Sequence, residues 1–272
     1  MKKFRGRRLL AMVMAVLMVI GMMPTDWAAT VASAATTFEG GQEVTDGTWA
    51  GWTWSVFGEG TGNIGTDNKI TDNGSSVTLY SGNNKGKISN NNDVGNYLYR
   101  KVDAGSDFII TADVKVDSWT AANQQAWGLI TMSAVQNNGY TGKDKYNSSA
   151  LVGGVQIAGV QYQGHTRLNN TLTGVNSTDI SSNADALAVA SGEQGKTYKL
   201  TIQKTGSKVT LLRNNLIVQE ISADSLYAAG DMYVGLFTSR KVQVTFSNVK
   251  FDTVAGTTHS TTVTDIKYPT KA

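Results

Sequence analysis

There is no cysteine in the 272 residues. That excludes a disulfide scaffold, a thiol nucleophile and a cysteine-based zinc site together. Sustained helical periodicity with caps is absent too, so helices are not the main building material. No long internal repeat is present. A Gly-x-Ser-x-Gly turn is missing, which leaves serine-histidine-aspartate catalysis without support. Only two histidines occur, His165 and His259, and the second sits in a polar tail. The one long apolar run, residues 9–23, is shorter than the about 20 residues a membrane helix needs.

That run belongs to an export signal. Lys2, Lys3, Arg5, Arg7 and Arg8 precede it, and Ala32-Ser33-Ala34 supplies a small-x-small cleavage pattern after it. Setting residues 1–34 apart removes five basic residues and one acidic residue. The balance of 24 Lys+Arg against 21 Asp+Glu becomes 19 against 20. The basic character is therefore a property of the signal. The mature chain carries no footprint for nucleic acid and no expected membrane association. Residues 36–254 are long enough for one all-β domain with a real core. Residues 255–272 read as a Thr-rich linker.

What the chain does have is alternation. Residues 108–116 put Phe108, Ile110, Ala112, Val114 and Val116 on one side and Ile109, Thr111, Asp113 and Lys115 on the other. That is the pattern of a half-buried strand. Residues 198–204, Lys208–Arg213, Leu216–Ser222, 232–238 and 242–251 follow as consecutive strands. Short turns join them, with Gly and Asn supplying positive φ. Further strands are expected at Ser76–Ser81, 96–102, 126–132 and 151–167, and single helical turns at 183–190 and 224–229. In 151–167 the apolar parity changes at Gly159, which predicts a bulge there. Trp52 and Trp54 share a strand face. Trp127 and Phe237 are expected in the core. The fold class is an all-β antiparallel sandwich.

Sugar rings offer C–H faces to aromatic side chains, and their hydroxyls suit amides and guanidiniums. The candidate ligand-binding residues are Trp119, Tyr140, Gln161, Tyr162, Gln163, His165 and Arg167, with Tyr146 beside them. Gln161, Gln163, His165 and Arg167 are expected along one polar face, and Trp119 and Tyr140 in turn-rich, exposed segments. Asp113 and Asp117 read as solvated surface acids.

Tyr198-Lys199-Leu200-Thr201-Ile202, Val234-Gly235-Leu236-Phe237-Thr238 and Val244-Thr245-Phe246-Ser247-Asn248-Val249-Lys250-Phe251 resemble the closing half of concanavalin A-like (laminin-G-like) jelly-roll domains. The stretch from Lys85-Gly86-Lys87-Ile88 to Tyr97-Leu98-Tyr99 is similar to modules attached to secreted bacterial pectin-degrading proteins. The resemblance implies a jelly roll that binds plant cell-wall polysaccharide, pectin above all, without catalysis. It also implies a search for the fold's catalytic sets. The Glu-x-Asp-x-x-Glu of its hydrolases is absent. Gln156-Ile157-Ala158-Gly159 resembles the Gln-Ile-His-Gly of alginate-lyase-like families, with Ala158 in place of the histidine. A lyase using Tyr162, His165 and Arg167 is thus the alternative, and a non-binding surface spacer or adhesin module the third reading. Structural calcium is common in such sandwiches; Glu39 and Asp252 are its candidate ligands. Residues 262–272 resemble the opening strand of bacterial immunoglobulin-like repeats, which implies further domains of a longer surface protein.

Overall fold

The computed structural model describes residues 36–38, 42–57, 66–90, 93–103, 105–133, 148–176, 194–227 and 230–255. The expected signal, linker and 183–190 helical turn lie outside them, as do Glu39, Tyr140 and Tyr146. Among the described residues no helix is long and apolar enough to cross a membrane.

Among the described residues, two large antiparallel sheets hold nearly all the strands. The first runs β1 (Thr36–Phe38), β4 (Asn68–Asp72), β5 (Ser76–Ser81), β17 (Val242–Val254), β8 (Asp107–Trp119), β13 (Thr197–Thr205), β14 (Lys208–Arg213) and β15 (Leu216–Ser222). The second runs β12 (Thr171–Val175), β11 (Val160–Leu168), β10 (Ser149–Ile157), β9 (Gln125–Met132), β16 (Met232–Ser239), β7 (Asp93–Val102), β3 (Thr53–Phe57) and β2 (Gln42–Glu43). A short strand, β6 (Lys87–Ile88), pairs with the start of β7. One five-residue helix, α1 (Ala223–Tyr227), follows β15. The fold is an all-β antiparallel sandwich. The two strands nearest the end of the described chain, β16 and β17, lie inside the sheets: β16 between β7 and β9, β17 between β5 and β8.

Alternation explains the main core. Along β8 the even positions Phe108 to Val116 are buried and face the second sheet. From that sheet come Trp54, Leu98, Trp127, Leu129, Val152 and Leu236. Burial of this kind is worth about 25 cal/mol per Å² of apolar area. The second sheet is apolar on its other face as well. There Ile88, Tyr97, Tyr99, Ile130, Met132, Leu151, Val155 and Phe237 make a smaller second core. Tyr97 and Tyr99 stack with ring centroids 4.9 Å apart.

Three expectations change. Trp119 is the last residue of β8, only 4% exposed in the main core, because the strand runs three residues beyond the expected end. Residues 151–167 are not one bulged strand. Ala158 (φ 49°) and Gly159 (φ 83°) form a two-residue turn between β10 and β11, and two successive positive φ values reverse the chain. The bulge sits earlier, where the register slips between Val152 and Val155. Finally, Thr171–Val175, which is not among the strands expected from the sequence, forms the edge strand β12.

Candidate functional site

Two of the places where the described residues gather guanidinium and aromatic chemistry bear on a site. The first is a cleft of about 210 Å³ at an open side of the sandwich, lined by Thr48, Trp49, Trp52, Ser75, Arg100, Val249 and Phe251. Arg100 projects from β7 with the main-core residues Leu98 and Val102 on either side of it in the alternation. Its guanidinium lies over Trp52 (5.4 Å to the centroid) and Phe251 (5.5 Å). Such stacking is worth about 0.5–2 kcal/mol. The Nη2 group donates to the Ala50 carbonyl at 3.0 Å, while Nε is buried without a hydrogen-bond partner. Trp49 packs edge-on against Trp52 at 5.5 Å and donates through Nε1 to Asp72 at 3.1 Å. Trp49 and Trp52 are themselves buried in the main core, so the cleft presents chiefly the half-buried Arg100 guanidinium and Phe251 ring, with the tryptophans as their floor.

The second place is a polar corner of the smaller core. Slippage at the bulge changes which side chains of β11 share a face. Tyr162 pairs with Val155 and joins that core, and Gly164 pairs with Val152 of the main core. His165 and Arg167, opposite Leu151 and Ser149, then return to the side of the smaller core. Tyr162, rather than Gln161, therefore accompanies His165. Its ring lies where a β-carbon on Gly174 would fall, 2.4 Å from the nearest ring atom, and Gly174 is the residue paired with His165. Any larger residue at Gly174 would displace the ring. Gln163 sits at the slip, buried, with neither amide atom partnered.

The corner is charged and closed. Asp93, at the start of β7, accepts from Arg167 Nη2 at 2.9 Å and from the Ser149 hydroxyl; His165 Nε2 lies 3.5 Å from its other oxygen. All four residues are buried. Burial pushes the Asp93 carboxyl up, but the Arg167 charge, then that of His165, outweighs it and holds the group well below the usual carboxylate range.

Of the sequence candidates, the structure brings Tyr162, His165 and Arg167 together. It separates Gln161, half-exposed on the opposite face, and Trp119, in the other sheet. The expected open face is corrected: Gln163, His165 and Arg167 are fully buried. The lyase alternative gains nothing from a His and an Arg closed against Asp93. Asp252 is exposed near the end of β17, and among the described residues no group of three or more His, Asp or Glu converges as a metal cage. Asp113 and Asp117 receive ordinary hydrogen bonds from Asn248 and Thr245, in keeping with surface acids.

Arg100 and Asp93 were missed by sequence reasoning. Arg100 had a signal: the Trp49–Trp52 cluster together with a charged residue on an otherwise buried strand. Asp93 had none, since Asn90-Asn91-Asn92-Asp93 reads as a loop and its partners lie 56 and 74 residues away.

Comparison with known proteins matches residues 60–256, well over half of the chain, to the family described as pectate disaccharide-lyase N-terminal domain. Pectate lyase L of Thermoclostridium stercorarium is 25% identical over 203 residues, which cover 74% of this chain and 15% of that protein. A protein of unknown function from Saccharomyces cerevisiae superposes with a TM-score of 0.50 at 12% identity, covering 76% of this chain and 99% of its own. The carbohydrate binding module CBM66 from Bacillus subtilis matches at 15% identity and a TM-score of 0.34, covering 74% and 95%. The likeness to the yeast protein is one of fold.

Proposed function

Because the chain belongs to the pectate disaccharide-lyase N-terminal domain family, we propose that it is a non-catalytic module that holds pectin-type polysaccharide for a longer, secreted bacterial lyase. The observation that carries this reading is the open cleft around Arg100. Uronate chains present carboxylates and apolar ring faces at regular spacing. A guanidinium held over Trp52 and Phe251, with no acidic side chain among the residues lining the cleft, complements one such unit. The half-exposed Gln161, beside the β10–β11 turn, is proposed as an outlying contact for the glycan. The family membership supports pectin over other glycans, and the small share of pectate lyase L that is covered supports a module that works beside a separate catalytic domain.

Affinity electrophoresis of the chain against polygalacturonate, methylated pectin, xylan and glucan tests this. Retardation on polygalacturonate is expected, weakened by Arg100→Gln. Free migration in every gel would overturn the reading.

A further inference from the structure

The cleft around Arg100 owes one wall to an irregularity in β17. Val244 and Phe246 of that strand are buried in the main core, so strict alternation would turn Phe251 outward. It does not, because the register with β8 slips between Ser247 and Lys250. Asn248 and Val249 together oppose Ala112, and the extra residue reverses the parity. Phe251 then falls opposite Ile110 and packs against the main core. Val249 and Phe251 both reach the cleft lining.

The bulge is fastened from outside. Asn248 takes a left-handed backbone (φ 50°), which asparagine tolerates far better than a β-branched residue does. Its Nδ2 donates to Asp113 Oδ2 at 2.7 Å, and the Ser247 hydroxyl donates to the Asp113 carbonyl at 3.4 Å. Asn248 is exposed, so burial does not account for the arrangement. What the bulge delivers is a ring. Phe251 lies 5.5 Å from the Arg100 guanidinium and 5.8 Å from Trp52. Trp52 and the Ala50 carbonyl hold the guanidinium from the chain just before β3 of the second sheet, whereas Phe251 comes from the first. Bulges recur beside binding sites because they re-aim a side chain in this way.

We propose that Asn248 and Asp113 are positioning residues of the cleft: their bond sets the bulge, the bulge sets Phe251, and Phe251 fixes the Arg100 guanidinium for an approaching uronate carboxylate. The carboxylate rests on the polysaccharide reading above; the succession of supports rests on the register. Neither residue touches the ligand, and both act through Phe251.

The side-chain Nε–H signal of Arg100 in the full chain tests this with no glycan present, because the ring currents of Trp52 and Phe251 displace it. Phe251→Leu is expected to move the signal toward the position of a free arginine. Asn248→Val resists the left-handed backbone and is expected to move it the same way. It should also weaken polygalacturonate binding by roughly tenfold, the worth of one cation–ring stack. Asp113→Ala does the same more weakly, and Asp113→Asn, which keeps an acceptor oxygen, recovers most of both. Gly174→Ala, placed in β12, lowers stability and leaves the signal where it is. An unmoved signal in Asn248→Val, a moved signal with unchanged affinity, or an equal movement in Gly174→Ala would overturn the proposal. If Asn248→Val does not fold, Asp113→Ala carries the test on the same terms. A wild type that binds no glycan sinks the polysaccharide reading alone, since the Arg100 signal still decides whether the bulge sets the guanidinium.

Discussion

Arg100 and Arg167 stand on strands of the same sheet, yet their surroundings make them opposites. Arg100 is half-buried at a cleft, stacks on two aromatic rings and donates to the Ala50 carbonyl rather than to a carboxylate. Arg167 is sealed and ion-paired to a carboxylate from a distant part of the chain. The difference teaches that a guanidinium's availability is set by what the fold delivers to it. Local sequence misleads for Arg167, which sits in the polar stretch that looks like a site, and gives Arg100 only the signal of a charged residue on a strand that looks like core.

Breaking the two arginines in turn gives the sharpest contrast. Arg167→Ala strands a buried carboxylate and is expected to cost about 3–5 kcal/mol in urea unfolding. Arg100→Ala removes a stack and one hydrogen bond, a loss of about 1–2 kcal/mol. Equal losses would mean that both are structural. Next in size is Gly174→Ala, which forces the Tyr162 ring off β12 and is expected to cost about 1–3 kcal/mol as overpacking; glycan binding at Arg100 stays unchanged, and a parallel loss would join the two sites.

Acid sharpens the comparison from the other side. The Asp93 carboxyl is depressed in the folded chain, so its contribution is fully present above the ordinary carboxylate value of about 3.9 and is lost as pH falls below it. Urea midpoints measured from pH 6 down to pH 2 should fall for the wild type and for Arg100→Ala alike. They should fall less steeply for Asp93→Asn; an identical slope would remove Asp93 from the acid response. The smallest effect is spectroscopic. Burial, then the neighbouring Tyr233, lifts the Tyr99 hydroxyl to about 12, so a rapid ultraviolet titration stopped at pH 11 should leave it protonated. Ionisation of every tyrosine by then would mean that the smaller core is open to water.

The sandwich was legible where one face meets solvent or a turn is tight. Strands β5, β14 and β15 have the expected bounds, because alternation and Gly/Asn turns are local signals. Strand β12 was not, since Thr171–Val175 has too few apolar side chains to show a period. The site was legible only in part. Tyr162, His165 and Arg167 do gather, but a one-residue slip exchanged Gln161 for Tyr162, and parity counting cannot foresee a slip at Gly153-Gly154. The cover over the face was invisible, because a second apolar side on the sheet looks the same in sequence as a fully buried strand.

The placement of β16 and β17 bears on how the molecule is made. Both sheets are missing an interior strand until residues 232–254 have left the ribosome. Until then β5, β7, β8 and β9 each lack a central neighbour. Nascent chains therefore pass through a stage with four unsatisfied backbone edges, the kind of surface that recruits chaperones or pairs with another copy. Closure of both sheets waits on these two strands, as two staves driven into a half-built cask.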